Sequence, residues 1–158
     1  MSINIKILVG ISSSGKSTFA KNYVKTNLNT KRINRDDIRN MMDDGRYSNS
    51  NEKFTKKVRN ELIYLCILND KNIIIDDTNC AFLRLKGLID FIRITGKTLK
   101  KELEIEILDF DTDIAICKER NKTREAPIDN KVFNFMKNDK YQINFEDLDV
   151  DKITKMTN

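Results

Sequence analysis

Apolar residues fall in short dense runs separated by amphipathic stretches, and the two patterns alternate along the chain. Ile3, Ile5, Ile7, Leu8 and Val9 make a largely β-branched run closed by Gly10, which predicts a buried strand feeding a glycine-bounded loop. Residues 17–27 place Phe19, Ala20, Tyr23 and Val24 on one helical face. A short strand is expected at 31–33, then a helix to residue 42 whose first turn holds Asp36 and Asp37, where the helix dipole favours negative charge. The polar stretch 43–51 carries Gly45 and predicts a mobile loop.

Residues 52–69 place Phe54, Val58, Leu62, Leu65 and Cys66 at helical spacing, so those positions are the expected core face. A central strand at 71–75 stops at Asp76-Asp77, and a helix is expected over 82–95. Residues 103–110 alternate Leu103, Ile105 and Ile107 with Glu104 and Glu106. Helices are predicted at 113–121 and 130–140, on either side of Pro127. Strand and helix alternate almost throughout, which predicts a three-layer α/β fold with a mainly parallel sheet flanked by helices and ligands bound beyond the carboxyl ends of the strands. No internal repeat or interdomain linker interrupts this order. Residues 1–140 are expected to form the domain, and 141–158 an acidic tail or a short terminal element.

Composition narrows the chemistry. Among 158 residues there is no histidine, which removes Ser-His-Asp and Cys-His nucleophile systems and the usual zinc sites. Cys66, Cys80 and Cys117 are odd in number and show no Cys-x-x-Cys spacing, so they are expected as reduced thiols in a cytoplasmic protein. No apolar stretch is long enough for a membrane span. The net charge of +5 is modest. Its distribution is more informative, because basic residues cluster at 31–35, 56–59 and 118–124 while 146–151 is acidic.

Gly10-Ile11-Ser12-Ser13-Ser14-Gly15-Lys16-Ser17 fits the phosphate-binding loop G-x-x-x-x-G-K-[ST], with an apolar strand before it and a helix after it. Successive backbone N–H groups close around phosphate oxygens at a helix N-terminus, Lys16 reaches the β- and γ-phosphates, and Ser17 offers its hydroxyl to Mg²⁺. Asp76 or Asp77, at the end of a neighbouring strand, is expected to support that metal. The guanine-reading N-K-x-D is absent, because Asn121-Lys122-Thr123-Arg124 has arginine where the aspartate belongs. A small phosphoryl-transfer kinase is the remaining reading.

Such an enzyme needs a base for the acceptor hydroxyl and cations for the charge that builds on the phosphates. Without histidine the base is expected at Asp36 or Asp37. Arg39 lies three residues from Asp36, on the same helical face, where it suits an anionic acceptor. Arg120 and Arg124 sit four apart before Glu125-Ala126-Pro127, an arrangement that predicts a small basic lid closing over the nucleotide.

Taken together, the phosphate loop, Ile33-Asn34-Arg35-Asp36-Asp37-Ile38-Arg39, Asp77-Thr78-Asn79, the lid arginines and Ala126-Pro127-Ile128-Asp129 resemble the 5′-kinase domain of the phage polynucleotide kinase-phosphatase family. The match runs in order over residues 1–140. The resemblance implies an ATP- and Mg²⁺-dependent enzyme acting on single-stranded DNA or RNA 5′ ends, with Asp36 as general base, Arg39 on the acceptor's phosphate, and Lys16 and Arg124 on the donor phosphates. It also implies nucleotide contacts from Gly10, Ser12, Ser13, Ser14, Gly15, Lys16, Ser17, Thr18 and Arg120. Acceptor contacts would come from Arg35, Arg39, Asp77, Thr78 and Asn79, and Ser17 with Asp77 would serve the metal. Ser12-Ser13-Ser14 departs from the family's Pro/Gly-containing stretch. The family's phosphatase domain is not expected here, and Asp109-Phe110-Asp111 is read as a strand end rather than a phosphatase motif.

Two other readings keep the same fold. A kinase for a small-molecule or nucleoside acceptor would be insensitive to single-stranded oligonucleotides. A non-enzymatic nucleotide-dependent binding module would be indifferent to Asp36→Asn.

Overall fold

In the computed structural model, which describes residues 1–157, the first apolar run becomes β1 (Ile3–Val9). It is followed by α1 (Lys16–Thr26), β2 (Thr30–Ile33), α2 (Arg35–Asp43), α3 (Asn49–Leu68) and β3 (Asn72–Ile75). The chain continues through α4 (Phe82–Thr98), β4 (Leu103–Phe110), α5 (Ile114–Asn121), α6 (Asn130–Tyr141) and β5 (Lys152–Met156). The five strands form one sheet in the order β2-β3-β1-β4-β5, with every neighbouring pair parallel. Parallel strands deliver all their carboxyl ends to one edge. The phosphate loop after β1, Asn34-Arg35-Asp36 after β2 and Asp76-Asp77 after β3 therefore meet there.

The continuous apolar runs reflect burial on both sheet faces, as parallel strands require. Ile5 and Ile7 of β1, Ile73 and Ile75 of β3, and Ile105 and Ile107 of β4 face one core, completed by Ile63 and Ile67 of α3 and by Leu85, Ile89 and Ile92 of α4. Leu8, Ile74, Leu108 and Phe110 face the other, against Ala20 of α1. A third cluster of Ile11, Cys80, Cys117 and Phe133 seats α5 and α6 beneath the phosphate loop. A fully buried Ile or Leu contributes about 1.5–3 kcal/mol by leaving water.

Three expectations change. The loop expected at 43–51 is shorter, because Ser48 accepts a hydrogen bond from the Asn51 amide and starts α3 at Asn49. The core face of α3 also differs: Thr55, Ile63 and Ile67 are buried, whereas Phe54, Leu62 and Leu65 are exposed. Val58 and Cys66 do pack against the core as expected; the helix carries apolar residues on both sides, so periodicity alone placed only part of the stripe. Finally, residues 152–156 are the short terminal element of the two forms expected for 141–158. They form an edge strand in register with β4, where Ile153 sits beside Ile107. Asp151 anchors that strand by accepting from the Ile105 amide at 2.7 Å and from Arg93 at 2.8 Å.

Candidate active site

The phosphate loop is shaped by backbone conformation first. Ser13 and Gly15 both have positive φ, 63° and 100°, which is open to glycine and uncommon for serine. Gly10 is required for space, since a Cβ there would lie 2.8 Å from Ser14 Oγ and 2.9 Å from Phe110 Cβ. Neighbouring elements tie the loop down: the Gly10 amide donates to Thr78 O at 3.0 Å, and Thr112 Oγ1 donates to Ser14 O at 2.9 Å. Lys16 is buried and folds over the loop, with Nζ donating to Ile11 O at 2.7 Å and Ser14 Oγ at 3.2 Å. Burial holds its ammonium below the ordinary lysine value, only partly opposed by Asp76 and Asp77. Ser13 Oγ is shielded from solvent and has no hydrogen-bond partner, as suits a cradle that takes an anion.

At the end of β3 the two aspartates take different tasks. Asp76 accepts from Ser17 Oγ at 3.2 Å through one oxygen and from Arg32 Nε at 2.8 Å through the other. Asp77 is turned away from Ser17, accepting from the Arg35 amide at 2.8 Å and pairing with Arg35 Nε at 3.3 Å. The carboxylate beside the Ser17 hydroxyl is therefore Asp76, one of the two strand-end acids expected to support the metal, whereas Asp77 faces Arg35. A hydroxyl and a carboxylate supply hard oxygen donors, a set that fits Mg²⁺ brought in with phosphate oxygens. Burial raises both aspartates above the ordinary carboxylate value, against the lowering effect of Arg32 on Asp76 and of Arg35 on Asp77. Arg32, which the sequence offered only as part of a basic cluster, orients Asp76 and also pairs with Asp37.

On the acceptor side, the cap of α2 is neither aspartate. Asn34 Oδ1 accepts from the Asp37 amide at 2.8 Å, while its Nδ2 donates to Asp76 O. Asp36 is thus left free of helix capping and exposed, with Arg39 Nη1 at 2.6 Å. Glu52, from the first turn of α3, binds Arg39 through Nε at 3.1 Å and Nη2 at 2.7 Å, and Arg35 through Nη1 at 3.2 Å. These bonds to Glu52 and Asp36 outweigh the opposing effect of burial and raise Arg39 above the ordinary arginine value. Sequence reasoning missed Glu52. Its signal was a lone acid thirteen residues after Arg39, without meaning until α3 packs on α2.

The amide of Asn79, expected at the acceptor, is engaged by the frame. It donates to Leu8 O at 2.8 Å, and its residue has a positive φ of 51°. Thr78 remains on the cavity wall. In the lid, Arg120 donates to Ser13 O at 3.3 Å, whereas Arg124 lies exposed at the cavity rim. Asn121 closes the lid loop on itself, donating to Ile128 O at 2.8 Å and accepting from the Ile128 amide at 3.0 Å.

One cavity of about 920 Å³ gathers most of these groups: Ser12, Ser13, Gly15, Lys16, Ser17 and Thr18 on one wall, Arg35, Asp36, Asp76 and Asp77 on another, Arg120 and Arg124 above. A sequence profile of AAA domains, AAA_33, matches residues 5–141. The chain belongs to this AAA-domain family. Within solved structures, this P-loop kinase domain resembles a chain of a Pnkp1/Rnl/Hen1 complex at 29% identity and TM-score 0.66, over 80% of this chain and 40% of that one. A chain of the Pnkp1/Rnl/Hen1 RNA repair complex matches at 26% identity and TM-score 0.70, over 89% of this chain and 44% of the other. The domain spans less than half the length of either. A fungal RNA kinase shares the fold at 14% identity and TM-score 0.63, over 99% of this chain and 75% of that one. No curated protein matches significantly. Among the described residues no helix is long and apolar enough to cross a membrane.

Proposed function

We propose that this P-loop kinase domain transfers the γ-phosphate of ATP to the 5′-hydroxyl end of a polynucleotide. The observation that carries the reading is the shared cavity, in which the phosphate loop and the exposed carboxylate of Asp36 face one space with arginines on both sides. The likeness at 26% identity to a chain of the Pnkp1/Rnl/Hen1 RNA repair complex, and at 29% to a chain of a Pnkp1/Rnl/Hen1 complex, supports a nucleic-acid acceptor.

The chain's own groups divide the work. Asp36 takes the proton of the 5′-hydroxyl, whose oxygen forms the new bond to the γ-phosphorus as the bond from that phosphorus to the ADP oxygen breaks. Arg39, held in place by the two hydrogen bonds it donates to Glu52, presents its remaining donors to the acceptor's phosphate. Lys16 and the loop amides hold the donor phosphates, and Arg120 and Arg124 cover them from the lid. Ser17, with Asp76 behind it, would hold Mg²⁺, which would neutralise charge on the donor phosphates when bound.

The experiment is transfer of labelled γ-phosphate to 5′-hydroxyl RNA and DNA oligonucleotides in parallel, with Lys16→Ala and Asp36→Asn as controls. Label on the 5′ end that disappears in both variants supports the reading. ATP binding with no transfer to either acceptor overturns it and turns the search to small-molecule acceptors or a nucleotide-dependent binding module.

A further inference from the structure

Beside the main cavity lies a second of about 370 Å³, and the two share Arg35 and Thr78 on their common wall. Its rim carries Lys56 and Arg59 from α3 and Arg84 from the first turn of α4, with Asp139 of α6 as the one carboxylate in its lining. Its floor is apolar, built by Leu88, Phe91 and Met136.

The charge there is unbalanced. Arg35 is neutralised by Glu52 and Asp77. By contrast, Lys56, Arg59 and Arg84 take part in no ion pair among the described residues, and the guanidinium of half-buried Arg59 donates only to Asn60 Oδ1, at 3.2 and 3.1 Å. Burial, with the charges of Arg84 and Arg35 added, holds the Lys56 ammonium below its ordinary value. Burial also lowers Arg59, with Arg35 opposing its charge and Asp77 and Glu52 only partly restoring it. The N-terminus of α4 opens on the same space, with no side chain capping it, and its dipole adds to the positive potential. Crowding like charges at one cavity costs stability in the free protein, and an anion relieves it.

We infer that this second cavity is an acceptor subsite taking a phosphodiester of a single-stranded polynucleotide downstream of the reacting 5′ end, with the adjoining nucleoside on the apolar floor. The inference rests on the kinase reading for its polarity, since the shared wall of Arg35 and Thr78 sets the strand running away from Asp36. A small acceptor that fills only the main cavity leaves the three cations unsatisfied. A strand of two or more nucleotides satisfies them. The subsite therefore makes the domain sensitive to acceptor length, which the phosphate loop and Asp36 alone do not.

Its test separates binding from turnover. Anisotropy of a fluorescent 5′-hydroxyl pentanucleotide is titrated with the wild-type chain and with Lys56→Gln, Arg59→Gln and Arg84→Gln at stepped salt, with thermal unfolding measured alongside. Transfer to the pentanucleotide is compared with transfer to a nucleoside 3′-monophosphate. Each substitution should weaken pentanucleotide binding about tenfold and reduce the log–log salt slope by about 0.7. The advantage of the pentanucleotide over the mononucleotide in kcat/KM should shrink by a similar factor. Arg84 is exposed on α4, so its substitution carries the test if Arg59→Gln does not fold. Equal pentanucleotide affinity and salt slope in all folded variants overturns the subsite, as does wild-type transfer that is equally efficient with both acceptors. Pentanucleotide binding that depends on the three cations, with no transfer to any oligonucleotide, keeps the polynucleotide site and overturns the kinase reading instead.

Discussion

The two walls of the main cavity are built in opposite ways. The donor wall is main chain: eight consecutive residues from Gly10 to Ser17, shaped by positive φ at Ser13 and Gly15 and braced by backbone carbonyls. The acceptor wall is side chain: Asp36, Arg35 and Asp77 line it, backed by Arg39 and Glu52, and these five from three separate segments hold one another by ion pairs. A main-chain cradle binds any phosphate of suitable shape, because backbone amides carry no acceptor-specific information. An ion-pair network positions particular groups, and it depends on every member. The donor wall thus suits any phosphate chain, and the acceptor wall is where particular side chains can select what faces it.

The largest effects should fall on turnover at the acceptor wall. Asp36→Asn removes the base while leaving the loop intact, so kcat should fall roughly 10²–10⁴-fold with ATP affinity retained. Loss of ATP affinity in that variant would mean the two walls are not separable. Lys16→Ala, on the donor wall, should lower kcat about 10²–10³-fold and weaken ATP binding as well, which equilibrium titration reads directly.

Arg32→Gln probes the joint between the walls. Arg32 lines the cavity with its guanidinium held by Asp76 and Asp37, so it is tested as a positioning residue that acts through Asp76. Its loss should raise the Mg²⁺ concentration needed for tight ATP binding by about tenfold or more, with metal-free ADP affinity as the reference. An unchanged Mg²⁺ requirement would remove Asp76 from the metal's surroundings. Glu52→Gln tests the network itself. It leaves two half-buried arginines short of a counter-charge, and after allowance for their partial exposure should cost about 2 kcal/mol of stability, read as a lower urea midpoint, together with a higher acceptor KM.

The smallest effect is a difference in sign between site and frame. Folded Asp76 and Asp77 hold their protons to higher pH than the unfolded chain, whose reference value is 3.8, so their contribution falls as pH rises from there through their folded values. Asp151 is lowered by the Ile105 amide, outweighing desolvation, with help from Arg93. Its contribution is present above 3.8 and is lost as pH falls through its folded value. Urea unfolding across about pH 3 to 7 should therefore show a weaker acid-side loss in Asp151→Asn than in wild type.

Local signals located most of the frame. The strand at Leu103–Phe110 lies where alternation placed it, and α5 and α6 fall within a residue of their expected bounds. The errors share a cause. The face of α3 was read only in part, with Val58 and Cys66 on the core, because Phe54, Leu62 and Leu65 are as apolar as the residues that are buried, and only packing against α2, α4 and the sheet chooses between the two stripes. Asp76 and Asp77 are adjacent in a strand end, so their side chains diverge, and the partner of each is set by β2 and α2 rather than by its own neighbours.

What the sequence determined by itself is everything carried by contiguous residues: the phosphate loop, the alternation of strand and helix, and the Asn34–Arg39 segment. Chain connectivity alone keeps such groups together, so their spacing is their geometry. Tertiary structure decided the rest: Asp76 rather than Asp77 beside Ser17, Glu52 between two arginines, Asn79 on the frame, and three unpaired cations around a second cavity. Those relations join residues tens of positions apart, and only the parallel sheet, which brings every strand's carboxyl end to one edge, makes them neighbours.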